Sequence, residues 1–135
     1  MKKGQFLAPD KMKHAADKVV TTGNKNILLT ERGSSFGYGL VTDMTSIPIM
    51  QETGYPVIFD ATHSAQLPGG EATTGGKREM IPTLAKAAVA VGCDGLFMEI
   101  HDNPSEAKSD AATQWPLEGL KSLLEKLIKI HEAVK

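Results

Sequence analysis

Apolar residues in this chain fall into short blocks of strand length and longer stretches with helical spacing, and the two kinds alternate. Pro9 and Asp10 open a stretch in which Ala15, Ala16, Val19 and Val20 recur at helical spacing until Gly23, which predicts a helix over 10–22. Asn26 to Thr30 reads as a strand. Residues 43–53 predict a short helix, perturbed by Pro48 and ended by Gly54. Pro56 to Asp60 is rich in β-formers and apolar on both faces, as in a strand covered on both sides of a parallel sheet. Residues 64–78 form a Gly-rich loop. Residues 79–92 predict a helix with Gly92 as its C-cap, and Gly95 to Ile100 a further strand. The segment 116–135 is amphipathic, with Leu120, Leu123, Leu124, Leu127, Ile128 and Val134 in one stripe. No internal repeat, low-complexity tract or long linker interrupts residues 1–135, which read as a single partial domain.

The order is βαβαβαβα, with the first strand present only as a stub at Lys2-Lys3-Gly4-Gln5. An open parallel sheet is one solution. The C-terminal half of a (β/α)8 barrel, about strands 5–8 with their helices, is the other, because a complete barrel takes about 250 residues. Four hydrophobic runs end in polar groups: Lys2-Lys3-Gly4-Gln5, Glu31-Arg32-Gly33, Asp60-Ala61-Thr62-His63 and Glu99-Ile100-His101. An open sheet concentrates its site at one switch point, whereas a barrel aims every strand end at one mouth. The four ends therefore favour the half barrel.

Composition narrows the function classes. The chain has 135 residues, 23% of them charged, and a formal net charge of -1, so bulk electrostatics give no reason to expect nucleic-acid or membrane binding. No apolar run approaches the roughly 20 residues needed to span a bilayer. Met1-Lys2-Lys3-Gly4-Gln5 lacks the apolar stretch of a secretory signal, and the single cysteine, Cys93, excludes an internal disulfide. Both fit a cytoplasmic protein. Cys93 reads as a small buried residue, since no neighbouring cation would activate it.

His63, Glu99 and Asp110 are one imidazole and two carboxylates at or just beyond strand ends, a donor set suited to a divalent metal; the alternative is a hydrogen-bonded polar cluster. Lys2, Lys3 and Arg32 are cations at neighbouring strand ends and suit a phosphate or carboxylate; the alternative is a salt bridge from Arg32 to a carboxylate such as Asp60. The loop 64–78 has no Gly-x-x-x-x-Gly-Lys-Ser/Thr register, since residue 71 is Glu and residue 78 is Arg, and reads as a lid. His14 and His131 read as solvated, Trp115 as a packing anchor, and Met44, Met50, Met80 and Met98 as core fillers.

Taken together, Lys2-Lys3-Gly4-Gln5-Phe6, Thr30-Glu31-Arg32-Gly33 with Phe36-Gly37-Tyr38, Asp60-Ala61-Thr62-His63-Ser64 with Gln66, and Phe97-Met98-Glu99 with His101 resemble the 3-deoxy-D-manno-octulosonate 8-phosphate synthases. The chain is similar to the C-terminal half of that family over essentially its whole length. The resemblance implies a (β/α)8 barrel, usually a homotetramer, that condenses phosphoenolpyruvate with arabinose 5-phosphate for lipopolysaccharide biosynthesis. It implies Lys2 and Arg32 on the phosphate of phosphoenolpyruvate, and His63 between that substrate and a divalent metal of the zinc, iron or manganese class. Glu99 and Asp110 follow as further metal ligands, Gln66 as a further substrate-binding residue, Asp60 lies near the site, and Lys2, His63 and Asp110 are the catalytic candidates. Ser109-Asp110-Ala111 resembles the metal-dependent form. The family's fourth metal ligand, a cysteine on its first strand, has no counterpart in this chain, and Cys93 precedes a strand at the opposite end of the barrel. The first four strands are absent too, so the expected partners are a missing N-terminal half or further copies of the chain, and the half alone is expected to be inactive. Two other readings stand beside this one. The 3-deoxy-D-arabino-heptulosonate 7-phosphate synthases share Glu-Arg-Gly and a strand-end His, but usually carry Asp-Pro-Ser-His and lack Phe-Gly-Tyr. A non-catalytic truncated product is the third.

Overall fold

A computed structural model describes residues 1–67 and 75–135. A 3-10 turn at Pro9–Lys11 leads into α1 (Met12–Val20), followed by β1 (Leu29–Glu31) and an antiparallel hairpin of β2 (Ser34–Phe36) and β3 (Gly39–Val41). Then come α2 (Ser46–Gln51), β4 (Val57–Asp60) and the short antiparallel pair β5 (Gln66–Leu67) and β6 (Gly75–Gly76). After α3 (Ile81–Val91) and β7 (Gly95–Phe97), β8 (Ile100–His101) pairs in parallel with β9 (Trp115–Pro116), and α4 (Leu117–Val134) closes the chain.

The fold is mixed α/β around a parallel sheet of order β1-β4-β7, and Lys2 adds a parallel bridge to Thr30 on the outer side of β1. Register decides what each face carries, because successive side chains on a strand point to opposite sides. Leu29 is level with Val57 and Glu31 with Phe59, and all four are buried. This row packs under the helices with Met12, Ala16, Ile47, Met50, Ile81, Ala85, Leu123 and Leu127. Fully burying a side chain such as Phe59 contributes about 2–3 kcal/mol. The opposite row is Lys2, Thr30, Ile58 and Gly95, continued by Asp60 and Phe97. Ile58 and Thr30 are half-buried and Phe97 is 42% exposed. Pro56 to Asp60 was expected to be covered on both faces; among the described residues only the helix-side face is fully covered.

The sequence pattern places the elements correctly but not all their ends. β1 starts three residues after Asn26 and ends one after Thr30, because Leu29 is the first residue level with β4. The expected strand Gly95 to Ile100 breaks after Phe97, since the Glu99 amide turns to donate to the Thr62 hydroxyl at 2.8 Å and Ile100 takes a new partner in β9. Gly92 is the left-handed C-cap of α3, with φ 95°. The hairpin of β2 and β3 was not expected; Gly33 (φ 87°) turns the chain into it, and Phe36 and Tyr38 are left 75% and 94% exposed. Only part of the α4 stripe is buried: Leu123 and Leu127 are, while Leu124, Ile128 and Val134 are exposed. Met50 fills the core and Met44 and Met98 pack against it, but Met80 is 40% exposed. His14 and His131 are exposed, as expected. Most of the expected lid, residues 68–74, lies outside the described residues. No helix of the described residues is long and apolar enough to cross a membrane.

Cys93 is buried at the end of α3, and burial pushes its thiol up to about 11. Its thiolate fraction is therefore very small at pH 8. Alkylation by iodoacetamide should be on the order of 100-fold slower in the native protein than in urea, as read by mass spectrometry.

Candidate metal and anion site

The carboxyl ends of β4 and β7 bring the reactive groups together. The buried Asp60 ends β4, and the chain then turns through a 3-10 turn at His63–Ala65. Asp60 Oδ1 accepts from the backbone N–H of His63 at 2.9 Å, and the Asp60 carbonyl accepts from the Ser64 hydroxyl at 2.7 Å. Asp60 Oδ2 lies 2.8 Å from His63 Nδ1 and 2.8 Å from Lys2 Nζ. Lys2 Nζ is also 3.3 Å from Nδ1, and Asp60 Oδ2 accepts no hydrogen bond among the described residues, so it faces the ring by charge alone. A proton on Nδ1, facing this carboxylate, would leave the lone pair of Nε2 facing out of the turn.

Nε2 faces two carboxylates. Glu99 Oε1 is 3.7 Å away and Asp110 Oδ2 is 3.9 Å away. Ligand atoms of all three residues lie within 4.8 Å of one another. Donors about 2.1 Å from a tetrahedral ion sit roughly 3.4 Å apart, so the two imidazole–carboxylate separations fit a cation after closing by a few tenths of an ångström, and the two carboxylates by up to about 1.4 Å. The outer oxygens are held by carboxamides: Gln114 Nε2 donates to Glu99 Oε2 at 2.8 Å, and Gln66 Nε2 donates to Asp110 Oδ1 at 2.5 Å. Such outer contacts orient metal-binding side chains and fix which oxygen faces the ion. Nitrogen with two carboxylate oxygens suits borderline-to-hard divalent metals.

The loop carrying Asp110 is braced on several sides. Asp110 is the one non-glycine with positive φ, 50°, among the described residues, and its carbonyl accepts from the N–H groups of Thr113 and Gln114 at 2.8 and 2.9 Å. Arg78 donates to the carbonyl of Ala111. Gly76 presses on the same loop: a Cβ there would sit 2.2 Å from Thr113 Cγ2, so a side chain does not fit beside the buried Thr113. The pairing of β8 with β9 returns the chain to Glu99, whose carbonyl accepts from Trp115 N–H at 2.9 Å, and so sets Gln114 beside it. Trp115 packs against the core, as expected.

The cations divide between the two faces. Arg32 is buried and donates through one terminal nitrogen to Gln66 Oε1 at 3.1 Å and to the His63 carbonyl at 3.3 Å, while its buried Nε has no hydrogen-bond partner among the described residues. It makes no salt bridge to Asp60. Lys2 is 44% exposed, and its ammonium is 5.5 Å from the centre of the Phe97 ring. Lys3, one residue on, points to the other face. It is fully buried, 3.6 Å from Glu31, and donates to Ser34 Oγ at 3.0 Å. Lys3 is thus a structural cation and does not join the strand-end cluster. His101 also stays apart, 3.0 Å from Asp102. The sequence pattern does not single out Gln114 or Thr62; their only signal is proximity to Asp110 and His63 in the chain.

Glu31 lies beneath the helices. Burial pushes its carboxyl above the usual range, opposed by Lys3, the N–H groups of Gly33 and Arg32, and Ser46. The folded protein therefore holds this proton at pH values where the unfolded chain has released it. Its contribution to stability is present below about pH 4.5 and is lost as pH rises through the folded value. In urea titrations across that window, Glu31→Gln should gain on the wild type as pH rises; a difference independent of pH would refute this.

A model described as the DAHP synthetase I family matches residues 1–135. A protein named 2-dehydro-3-deoxyphosphooctonate aldolase from Methylococcus capsulatus is 58% identical over 137 residues, which is 100% of this chain and 48% of that protein. Proteins of the same name from Dechloromonas aromatica and Xanthomonas campestris are 58% and 55% identical, each over 100% of this chain and 50% of their own length. The chain spans about half the length of the curated relatives it matches.

Proposed function

Because this chain belongs to the DAHP synthetase I family, we propose that it carries the metal-binding and phosphate-binding side of a synthase that joins phosphoenolpyruvate to arabinose 5-phosphate. The products are 3-deoxy-D-manno-octulosonate 8-phosphate and inorganic phosphate, and the reaction serves lipopolysaccharide biosynthesis in the cytoplasm. The observation that carries this reading is the meeting of His63, Glu99 and Asp110 beside Arg32 and Lys2 at the ends of parallel strands. The relatives named for the eight-carbon product favour arabinose 5-phosphate over the four-carbon sugar of the sister synthases.

The enol carbon of phosphoenolpyruvate attacks the sugar aldehyde, water adds at the neighbouring carbon, and phosphate departs. Two anions must be held together, so positioning and charge stabilisation supply most of the catalysis. Arg32 takes the phosphate of phosphoenolpyruvate through its guanidinium, with the half-exposed Lys2 as a second charge. His63 Nε2, Glu99 Oε1 and Asp110 Oδ2 would hold a zinc, iron or manganese ion. A divalent ion held there supplies positive charge against the negative charge that develops on substrate oxygen. His63 lies between that ion and the phosphate subsite and is kept in one tautomer by Asp60. Lys2, His63 and Asp110 are the residues that act closest to the reacting atoms.

The incompletely covered face of the sheet, bearing Thr30, Ile58 and Phe97, supports reading residues 1–135 as one half of a (β/α)8 barrel. The other half, or further copies of the chain in a tetramer, covers that face and adds the rest of the grip on the sugar phosphate.

Metal binding is the first test, since it needs only residues of this chain. Calorimetric titration with Zn2+ or Mn2+ should give one site per chain, lost in His63→Ala while the circular dichroism spectrum stays native. In enzyme reconstituted to full family length, phosphate release from phosphoenolpyruvate should be faster with arabinose 5-phosphate than with erythrose 4-phosphate and should collapse in His63→Ala. Preference for erythrose 4-phosphate, or unchanged metal binding in His63→Ala, would overturn the assignment.

A further inference from the structure

The Gln66 side chain joins the guanidinium of Arg32 to the carboxylate of Asp110. Its Oε1 accepts from Arg32 at 3.1 Å, and its Nε2 donates to Asp110 Oδ1 at 2.5 Å. Its partners fix the orientation of the amide: a guanidinium has no acceptor, and a carboxylate has no donor. The family resemblance implies that Gln66 binds substrate. In this structure both polar ends of its carboxamide are already engaged by protein groups on opposite sides.

We infer that Gln66 is a positioning residue that couples metal binding to anion binding, by tying the metal-ligand carboxylate of Asp110 to the anion-binding guanidinium of Arg32. This rests on the metal and phosphate assignments proposed above. The physical chain is short. A cation drawing Asp110 Oδ2 toward His63 Nε2 fixes the other oxygen, Oδ1, and with it the Gln66 amide. The amide then holds one terminal nitrogen of Arg32 and so fixes the plane of the guanidinium that an anion would meet. An anion on Arg32 orders the same three side chains from the other end. Each ligand thus binds to groups the other has already ordered, and the coupling is reciprocal by thermodynamic necessity. Direct attraction between cation and anion adds to this, but it does not pass through Gln66.

The experiment is a binding cycle by calorimetry, with Mn2+ and inorganic phosphate as probes, on the wild type, Gln66→Leu and Gln66→Met. Both variants keep the bulk of the side chain and remove both hydrogen bonds, and Gln66→Met serves if the branched residue disturbs folding. In the wild type, phosphate should bind several-fold more tightly when Mn2+ is present. In either variant Mn2+ affinity should fall about 10-fold, as for loss of an outer contact to a metal ligand. The enhancement of phosphate binding by Mn2+ should also shrink to what charge attraction alone gives. A residue that merely packs would alter the melting temperature and leave the enhancement intact, and a direct phosphate ligand would weaken phosphate while leaving Mn2+ affinity unchanged. Either result overturns the inference while leaving the metal site standing. A wild type that binds no Mn2+ would sink the metal assignment and this inference together.

Discussion

The strand-end site depends on one buried carboxylate. Asp60 is fully enclosed, yet it contacts the His63 backbone, the His63 ring and the Lys2 ammonium. An isolated buried anion is strongly disfavoured, and removing one partner of a buried charge pair typically costs about 3–5 kcal/mol. Those partners are therefore held where Asp60 needs them. The ring of His63 is fixed with one nitrogen turned away from Asp60, and Lys2 is drawn across Phe97 from the chain's first residues. Glu99 and Asp110, each steadied by a glutamine, meet the nitrogen that Asp60 leaves free. The geometry of the site follows from satisfying one charge.

Strand alternation sorts the remaining charges. Lys2 and Lys3 are adjacent in sequence and carry the same charge, yet one reaches solvent at the strand ends and the other is sealed beneath the helices with Glu31. A buried ion pair of this kind is weak evidence for stability, because removing both charges from water offsets much of their attraction. Glu31 shows that tension in its raised carboxyl. Its better-supported effect is on register. Slipping the first strand by one residue would put Lys3 at the strand ends and leave Glu31 buried without its cation.

Much of this was legible in the sequence, and the illegible parts share a cause. His63, Glu99 and Asp110 stood out because imidazole and carboxylates beyond apolar runs are few, and the alternation of runs set the order of the elements. The role of Gln66 was not readable, since a carboxamide signals nothing until its two neighbours are known. Gln114 carries no signal in the sequence because it reaches Glu99 through the pairing of β8 with β9, and two-residue strands leave no periodic trace. The hairpin of β2 and β3 is hidden because Ser34 and Ser35 show no apolar alternation and Gly39–Val41 is too short to leave one. Lys3 was grouped with the wrong cations because one residue's difference in parity cannot be seen without the register to Thr30.

The contact between Gly76 and Thr113 joins two stretches of chain far apart in sequence, and one of them bears Asp110. The methyl of Thr113 occupies the space that a β-carbon at 76 would need, while its hydroxyl donates to the Asp110 carbonyl at 3.3 Å. The two positions share one fixed volume. Through evolutionary drift, an alanine at 76 becomes tolerable only alongside a serine at 113, which sheds the methyl and keeps the hydroxyl. Across diverging descendants of this sequence the pair should therefore vary together or stay frozen together, although neither side chain touches a ligand.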